Sequence, residues 1–114
     1  MEDNNKIINV TRGANKIFKF CFPKNNNQLE NFNDVILEIT DGKKVIIKLT
    51  GLICLNVKNN YFIKFTLPHT DTIKLNDKSI YDLYLYGIDS NKNKTEFEYY
   101  KNKILKIEVK DCIL

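Results

Sequence analysis

The sequence contains no tryptophan, a single histidine and a single arginine, and only four glycines and two prolines. With one histidine, the chain lacks the paired imidazoles of many zinc sites. The glycines are isolated from one another, so no phosphate-cradling loop is present. No stretch approaches the roughly 20 apolar residues of a membrane span, and the polar start MEDNNK has no signal-peptide core. We therefore expect no metal, no cofactor, no membrane contact and no secretion signal.

Positive charge is modest and almost entirely lysine. The formal net charge is +4, and Arg12 is the only arginine. The lysines are scattered among acidic residues, whereas a nucleic-acid reader concentrates basic residues on one face and uses arginine for base edges and phosphates. We therefore expect no nucleic-acid partner, and we interpret the lysines as solvated residues on the sheets.

The three cysteines, Cys21, Cys54 and Cys112, are odd in number and far apart. No pair of them has the close spacing of a zinc knuckle. The sequence therefore predicts free, buried thiols in a reducing compartment.

What the chain has in abundance is alternation of apolar and polar residues with a period of two. The pattern is clearest at 16–22, 34–40, 44–50, 61–67 and 79–88. Such a period places apolar residues on one face of an extended strand. Turn signals recur every eight to twelve residues; Asp41-Gly42 is the clearest hairpin signal among them.

This pattern predicts an all-β fold, a single β-sandwich domain over residues 6–114 that follows a disordered N-terminus at 1–5. The connection 68–78 is long enough to cross between sheets and has room for one helical turn near 71–75, capped by Thr70 or Asp71. The predicted core is Phe18, Phe20, Leu37, Ile47, Ile63, Phe65, Leu83, Leu85, Phe97 and Ile107.

Two sets of residues are candidates for hydrolytic chemistry. His69 stands two residues before Asp71, a pairing that suits a base oriented by a carboxylate. Asp82, Glu96 and Glu98 offer carboxylates for a glycosidase pair. However, the carboxylates alternate with apolar residues and so point away from the core, and no nucleophile motif accompanies His69. We therefore predict that the protein is not an enzyme, with no catalytic residues and no small-molecule substrate.

Tyrosines offer a different kind of site. Tyr84 and Tyr86 alternate with Leu83 and Leu85, and Tyr100 is predicted to face outward from its own strand. A tyrosine-bearing face with few charges has the composition of an interface core. The alternative is that these tyrosines simply lie on a solvated sheet. We take Tyr84, Tyr86 and Tyr100 as the predicted protein interface.

Taken in order, several short motifs resemble small virion proteins of tailed bacteriophages, in particular the N-terminal immunoglobulin-like domain of baseplate upper proteins. They are Val10-Thr-Arg-Gly13, Phe18-Lys-Phe20, the stretch from Tyr61 to Pro68, Asp71-Thr72 with Leu75, the stretch from Ser79 to Leu85, Thr95, and the closing strand from Leu105 to Val109. The chain departs from that family at Lys101-Asn102, where glycine is usual, and in lacking the long helical extension.

The resemblance implies an immunoglobulin-like antiparallel β-sandwich of about seven to eight strands. It also implies a non-enzymatic structural protein of the virion, made in the bacterial host cytoplasm. Its partners would be other virion proteins of the tail, baseplate, neck or capsid surface, contacted by multiple copies on a symmetric particle. The alternative is a carbohydrate-binding module that stacks sugars on Tyr84, Tyr86 and Tyr100.

Overall fold

Strands make up most of the chain. The computed structural model describes residues 5–22, 32–55, 61–97, 100 and 104–111. The elements of this part are β1 (Asn5–Thr11), β2 (Lys16–Cys21), β3 (Phe32–Thr40), β4 (Val45–Thr50), β5 (Leu52–Leu55), β6 (Tyr61–Leu67), α1 (His69–Thr72), β7 (Ile80–Asp89), β8 (Lys94–Glu96) and β9 (Ile104–Lys110). The predicted all-β class is confirmed. The first strand begins at Asn5, within the segment predicted to be disordered, and residues 1–4 lie outside the described residues.

The strands form two sheets. The large sheet has the order β1-β9-β7-β3-β4, with β8 also paired to β7, and the small sheet has the order β2-β6-β5. This is the immunoglobulin-like arrangement, in which the second, fourth and fifth strands of the fold (here β2, β5 and β6) face a sheet built around the third, sixth and seventh (here β3, β7 and β9). The predicted β-sandwich is therefore confirmed.

The strand count and one pairing differ from the expectation of seven to eight antiparallel strands. The described residues contain nine strands, and β7 pairs with β9 at 80–82 but with the short β8 at 86–88. In addition, β1 and β9 are parallel. These strands come from opposite ends of the chain, so no short turn forces them into antiparallel pairing.

The core lies between the two sheets, where the alternating apolar residues meet. All ten predicted core residues are buried in one cluster. Aromatic rings pack edge to face within it: Phe20 and Phe65 have centroids 5.9 Å apart, and Phe22 and Phe97 are 5.3 Å apart. Edge-to-face pairs add to the stability gained from area burial alone. Among the described residues, the core contains no disulfide. Antibody domains have a disulfide-forming cysteine two residues after a conserved tyrosine, and here Leu83 occupies that place after Tyr81.

Gly51 joins the two sheets, because the chain passes there from β4 in the large sheet directly into β5 in the small one. A Cβ at this position would lie 2.7 Å from the Phe65 ring and 2.8 Å from Ile63 Cγ2. Both side chains are fully buried and cannot move aside freely. Glycine is therefore required for the strand to cross this close to the core.

The connection from β6 to β7 crosses back between the sheets. It contains α1, whose first N–H donates to Asn15 Oδ1 at 2.6 Å. The predicted cap by Thr70 or Asp71 is wrong, because the helix begins earlier, at His69, and a side chain from a distant loop takes that role. At the start of β7, the Asn76 N–H donates to the Tyr81 hydroxyl at 3.0 Å, the tyrosine corner of immunoglobulin-like sandwiches.

Candidate docking surface

The outer face of the large sheet carries two of the three tyrosines predicted to form an interface. Tyr86 lies on this face beside Ile36 of β3, but its side chain is fully buried, with 0% exposed. Its hydroxyl donates to Glu38 Oε2 at 2.7 Å, and Lys94 Nζ lies 4.8 Å from its ring centroid. Neighbouring side chains of the same sheet therefore cover Tyr86 and leave no free ring surface.

Tyr84 is the accessible member of this pair, with 37% of the residue exposed and its ring centroid 5.1 Å from that of Tyr86. Burial, a hydrogen bond to Glu96 and the charges of Glu96 and Glu38 raise the pKa of Tyr84. Burial and the hydrogen bond to Glu38 raise the pKa of Tyr86 more strongly. Both hydroxyls therefore stay protonated at neutral pH, where they satisfy the acidic side chains beside them.

Tyr100 does not share this face. Its half-buried ring packs edge to face against Phe20 and Phe22, with centroids 5.5 and 5.3 Å away, and its hydroxyl donates to the Cys21 carbonyl at 2.6 Å. The outward orientation predicted for Tyr100 is wrong, because the residue lies in a turn and not on a strand, so the period of two does not apply. The three tyrosines do not form one exposed surface.

A cavity of about 70 Å³ lies where β7 leaves β9 and meets β8. It is lined by Leu83, Tyr84, Leu85, Glu96, Phe97, Tyr100 and Leu105. Ligand pockets in proteins usually have volumes of about 300–1,000 Å³. This cavity brings Tyr84 and Tyr100 to the same gap, but it is too small for a sugar ring.

The candidates for hydrolytic chemistry are engaged in separate contacts. His69 Nδ1 lies 3.2 Å from Asn15 Oδ1 at the start of α1, and Asp71 pairs with Lys74 at 3.2 Å. Asp82 pairs with Lys106 at 3.2 Å on the outer face of the large sheet. Glu98 lies outside the described residues. Within the described part of the chain, no three His, Cys, Asp or Glu side chains cluster as metal ligands, and no helix has the length and hydropathy to cross a membrane.

The small sheet presents a different outer surface. The core-facing residues of its strands alternate with eight outward ones, which we call the small-sheet face: Ile17, Lys19, Cys21, Leu52, Cys54, Phe62, Lys64 and Thr66. Lys19 Nζ lies 4.6 Å from the Phe62 ring centroid. The three strands contain three lysines and no acidic residue. This surface is therefore both apolar and positively charged.

Two lysines of this face have no acidic partner in the described structure. Lys19 is directly opposite Lys64, which is in turn directly opposite Leu52, so the three form one row across the small sheet. Ion pairs of the described residues involve other lysines. Like charges directly opposite each other on neighbouring strands are destabilising. An acidic group from another molecule at the Leu52 end of the row would relieve this repulsion.

The outer end of the row is β5, the last strand of the small sheet. We call its outer side, which pairs with no strand in the described structure, the β5 edge. Leu52 is 67% exposed and Leu55 is 53% exposed. Edge strands usually carry lysine or proline to prevent pairing with other chains. Every other strand with an open side carries lysine, namely β1, β2, β4 and β8, whereas β5 reads Leu-Ile-Cys-Leu. Among the described strands, β5 is the one with an unprotected apolar edge.

The thiols lie on this same face. Cys21 and Cys54 are unpaired, as predicted, but Cys21 is exposed and Cys54 half-buried, so the expectation that they are buried is wrong. In the strand register, both cysteines lie directly opposite Phe62, one on each side of β6. They are therefore two strands apart, about 10 Å between Cα atoms, too far for a disulfide. Cys112 lies outside the described residues.

Sequence reasoning missed this surface. One signal was available, since the run Leu52–Leu55 has apolar residues on both faces and no charge. Such a run is equally typical of a central strand, and only the strand order shows that β5 is at an edge. Compared with known proteins, the chain matches no protein family, and no curated protein is significantly similar to it.

Proposed function

We propose that this protein is a non-enzymatic interaction module, a structural component of a tailed-phage virion that works by protein–protein contact. The observation that carries the proposal is the β5 edge. It exposes the apolar side chains of Leu52 and Leu55 on an uncharged strand whose outer side pairs with no strand in the described structure. The motif resemblance described above supplies the virion context, and the partners are other virion proteins of the tail, baseplate, neck or capsid surface.

The size of the surface explains why such a module would work in many copies. The β5 edge has four residues, and an interface of standard size involves about 20–30 residues on each side. A single contact of this kind gives low affinity. Repeated copies on a symmetric particle convert several weak contacts into stable attachment, because each later contact forms at high effective concentration.

The alternative, a carbohydrate-binding module with Tyr84, Tyr86 and Tyr100 as a stacking platform, has less support. A platform requires exposed ring faces. Tyr86 is fully buried and Tyr100 packs against Phe20 and Phe22, which leaves Tyr84 as the accessible ring. The structure thus favours a protein partner over a sugar.

The proposal is tested by quantitative mass spectrometry of gradient-purified phage particles from cells that produce the chain. We expect the chain to sediment with the particles in a fixed ratio to the major virion proteins. The ratio should decrease for Leu52→Asp, and should not change for the matched variant Ile17→Asp on the opposite edge strand. Wild-type protein that stays in the soluble fraction would refute the virion role.

A further inference from the structure

We propose that the β5 edge binds an extended acidic segment of a neighbouring protein, which becomes a fourth strand of the small sheet. The inference rests on the proposed protein–protein role and specifies its chemistry. The segment has apolar side chains on the side that faces the core and acidic side chains on the outer side. Addition of a strand to an open sheet edge is a common mode of peptide recognition.

The backbone of β5 supports the first part of this inference. Its inner side is paired with β6 over all four residues, and in the described structure no strand is paired with its outer side. An edge of this kind presents unpaired N–H and C=O groups in strand geometry, ready to form a ladder with an extended chain. The absence of charge in β5 removes the usual barrier to this pairing.

The side chains of β5 define what the added strand must carry on its inner side. Ile53 and Leu55 are opposite Ile63 and Tyr61 and so point toward the core side of the sheet, yet they are 39% and 53% exposed. They form the open rim of the core. Apolar side chains of an added strand would lie beside them and cover this rim, which is favourable in proportion to the apolar area removed from water.

The charges define what the strand must carry on its outer side. A residue next to Leu52 continues the row Lys19–Lys64–Leu52 and lies about 10 Å from Lys64, measured between Cα atoms. Extended glutamate and lysine side chains together span that distance. An acidic residue there would pair with Lys64 and reduce the repulsion between Lys64 and Lys19. A second copy of this chain would instead bring another lysine-bearing sheet, so charge disfavours self-pairing through β5.

The test uses blocked eight-residue peptides and NMR spectra of the ¹⁵N-labelled full chain. The acidic peptide alternates valine with glutamate. A basic peptide replaces glutamate with lysine, and a third peptide keeps the glutamates but has proline at a central valine, which removes a ladder hydrogen bond. We expect saturable binding of the acidic peptide, with shift changes centred on β5 and on Lys64. The basic peptide and the proline peptide should each bind at least about tenfold more weakly.

Matched variants test whether peptide binding depends on the β5 edge or on other parts of the surface. Leu52→Asp should weaken binding of the acidic peptide at least about tenfold. Ile17→Asp, at an exposed apolar position on the other edge strand, should weaken it by less than about twofold. Lys64→Glu should reverse the preference in favour of the basic peptide. Lys6→Glu, a charge reversal on the open edge of the large sheet, should leave the preference unchanged. All four variants change surface side chains, and their unfolding midpoints verify that they fold.

Several results would overturn the inference. They are absence of acidic-peptide binding at 1 mM or below, equal binding of the basic or the proline peptide, and equal effects of Leu52→Asp and Ile17→Asp. A concentration-dependent dimer that Leu52→Asp dissociates would show that a second copy occupies the edge. Peptide binding at β5 by a chain that never enters particles would refute the virion role alone. A chain present in particles that does not bind the peptide would refute this docking mode alone.

Discussion

The two sheets of this sandwich share one core but differ in how they meet solvent. On the large sheet, acidic and basic residues occur in near-equal number, and Asp82 pairs with Lys106. Lys94 on the same sheet lies over the Tyr86 ring. On the small sheet, the charges are all positive, and two lysines face each other across neighbouring strands. Exposed leucines complete its edge.

The two sheets differ in which of their charged groups have partners. On the large sheet, the hydroxyl of Tyr86 and the carboxylate of Glu38 satisfy each other. On the small sheet, no acidic residue of the described structure pairs with Lys64, and no described strand lies on the outer side of Leu52. A partner therefore gains more at the small sheet, since it removes a repulsion and covers apolar area.

The largest effect should come from the core that both sheets share. Leu83→Ala removes a buried side chain of β7 and should lower the free energy of unfolding by about 2–5 kcal/mol. Leu52→Ala on the β5 edge should change it by less than about 0.5 kcal/mol. Urea unfolding of both variants measures the contrast. Equal losses would mean that Leu52 is packed in solution and that the β5 edge is not open.

The junction between the sheets should show the next largest effect. Gly51→Ala places a Cβ against the Phe65 ring and Ile63, and should lower the free energy of unfolding by about 1–3 kcal/mol. Thr50→Ala, an exposed neighbour, serves as the control and should have little effect. Thermal unfolding measures both. If Gly51→Ala is as stable as the wild type, the crossing at this position is looser than the structure shows.

A smaller effect should come from the hydrogen bond between Tyr86 and Glu38 on the outer face of the large sheet. Tyr86→Phe leaves Glu38 without its donor and should lower the free energy of unfolding by about 1 kcal/mol at neutral pH. Tyr84→Phe should have a smaller effect, because Tyr84 is the more exposed residue of the two. If Tyr84→Phe is the more damaging change, the assignment of Tyr86 as the buried partner is wrong.

The raised pKa of Tyr86 predicts that the free energy of unfolding decreases at alkaline pH. Since the pKa of Tyr86 is raised in the folded chain, its contribution is fully present below the unfolded tyrosine pKa of about 10 and is lost as pH rises above that value. Chemical unfolding between pH 8 and 11 should therefore show wild-type stability falling at the alkaline end. The fall should be shallower in Tyr86→Phe, and identical slopes would contradict the assignment.

The smallest expected effect is that of reduction. Cys21 and Cys54 are separated by the central strand of the small sheet, so neither can pair with the other without backbone movement. A reducing agent should leave the melting temperature unchanged within error. A clear decrease would reveal a cross-link to Cys112, the cysteine outside the described residues.

Sequence reasoning succeeded where a local pattern determines the structure. Alternation along the strands identified all ten core residues, because a side-chain period of two needs no knowledge of the neighbouring strand. It failed where side chains of adjacent strands determine whether a residue is buried. Tyr86 alternates outward yet is buried, since Ile36, Glu38 and Lys94 cover it from adjacent strands. The parallel pairing of β1 and β9 and the edge position of β5 likewise depend on strand order, which joins residues far apart in sequence.

The most direct test of the β5 edge as the docking surface uses the two native thiols of the small-sheet face. Cys54 lies on β5 and Cys21 on the opposite edge strand, so alkylation followed by peptide mass spectrometry reports on both edges in one sample. We predict that, compared with the free chain, assembly into the particle slows alkylation of Cys54 at least about tenfold and leaves Cys21 within about twofold of its free rate. Protection of Cys21 with Cys54 still reactive, or of neither thiol, would contradict the account.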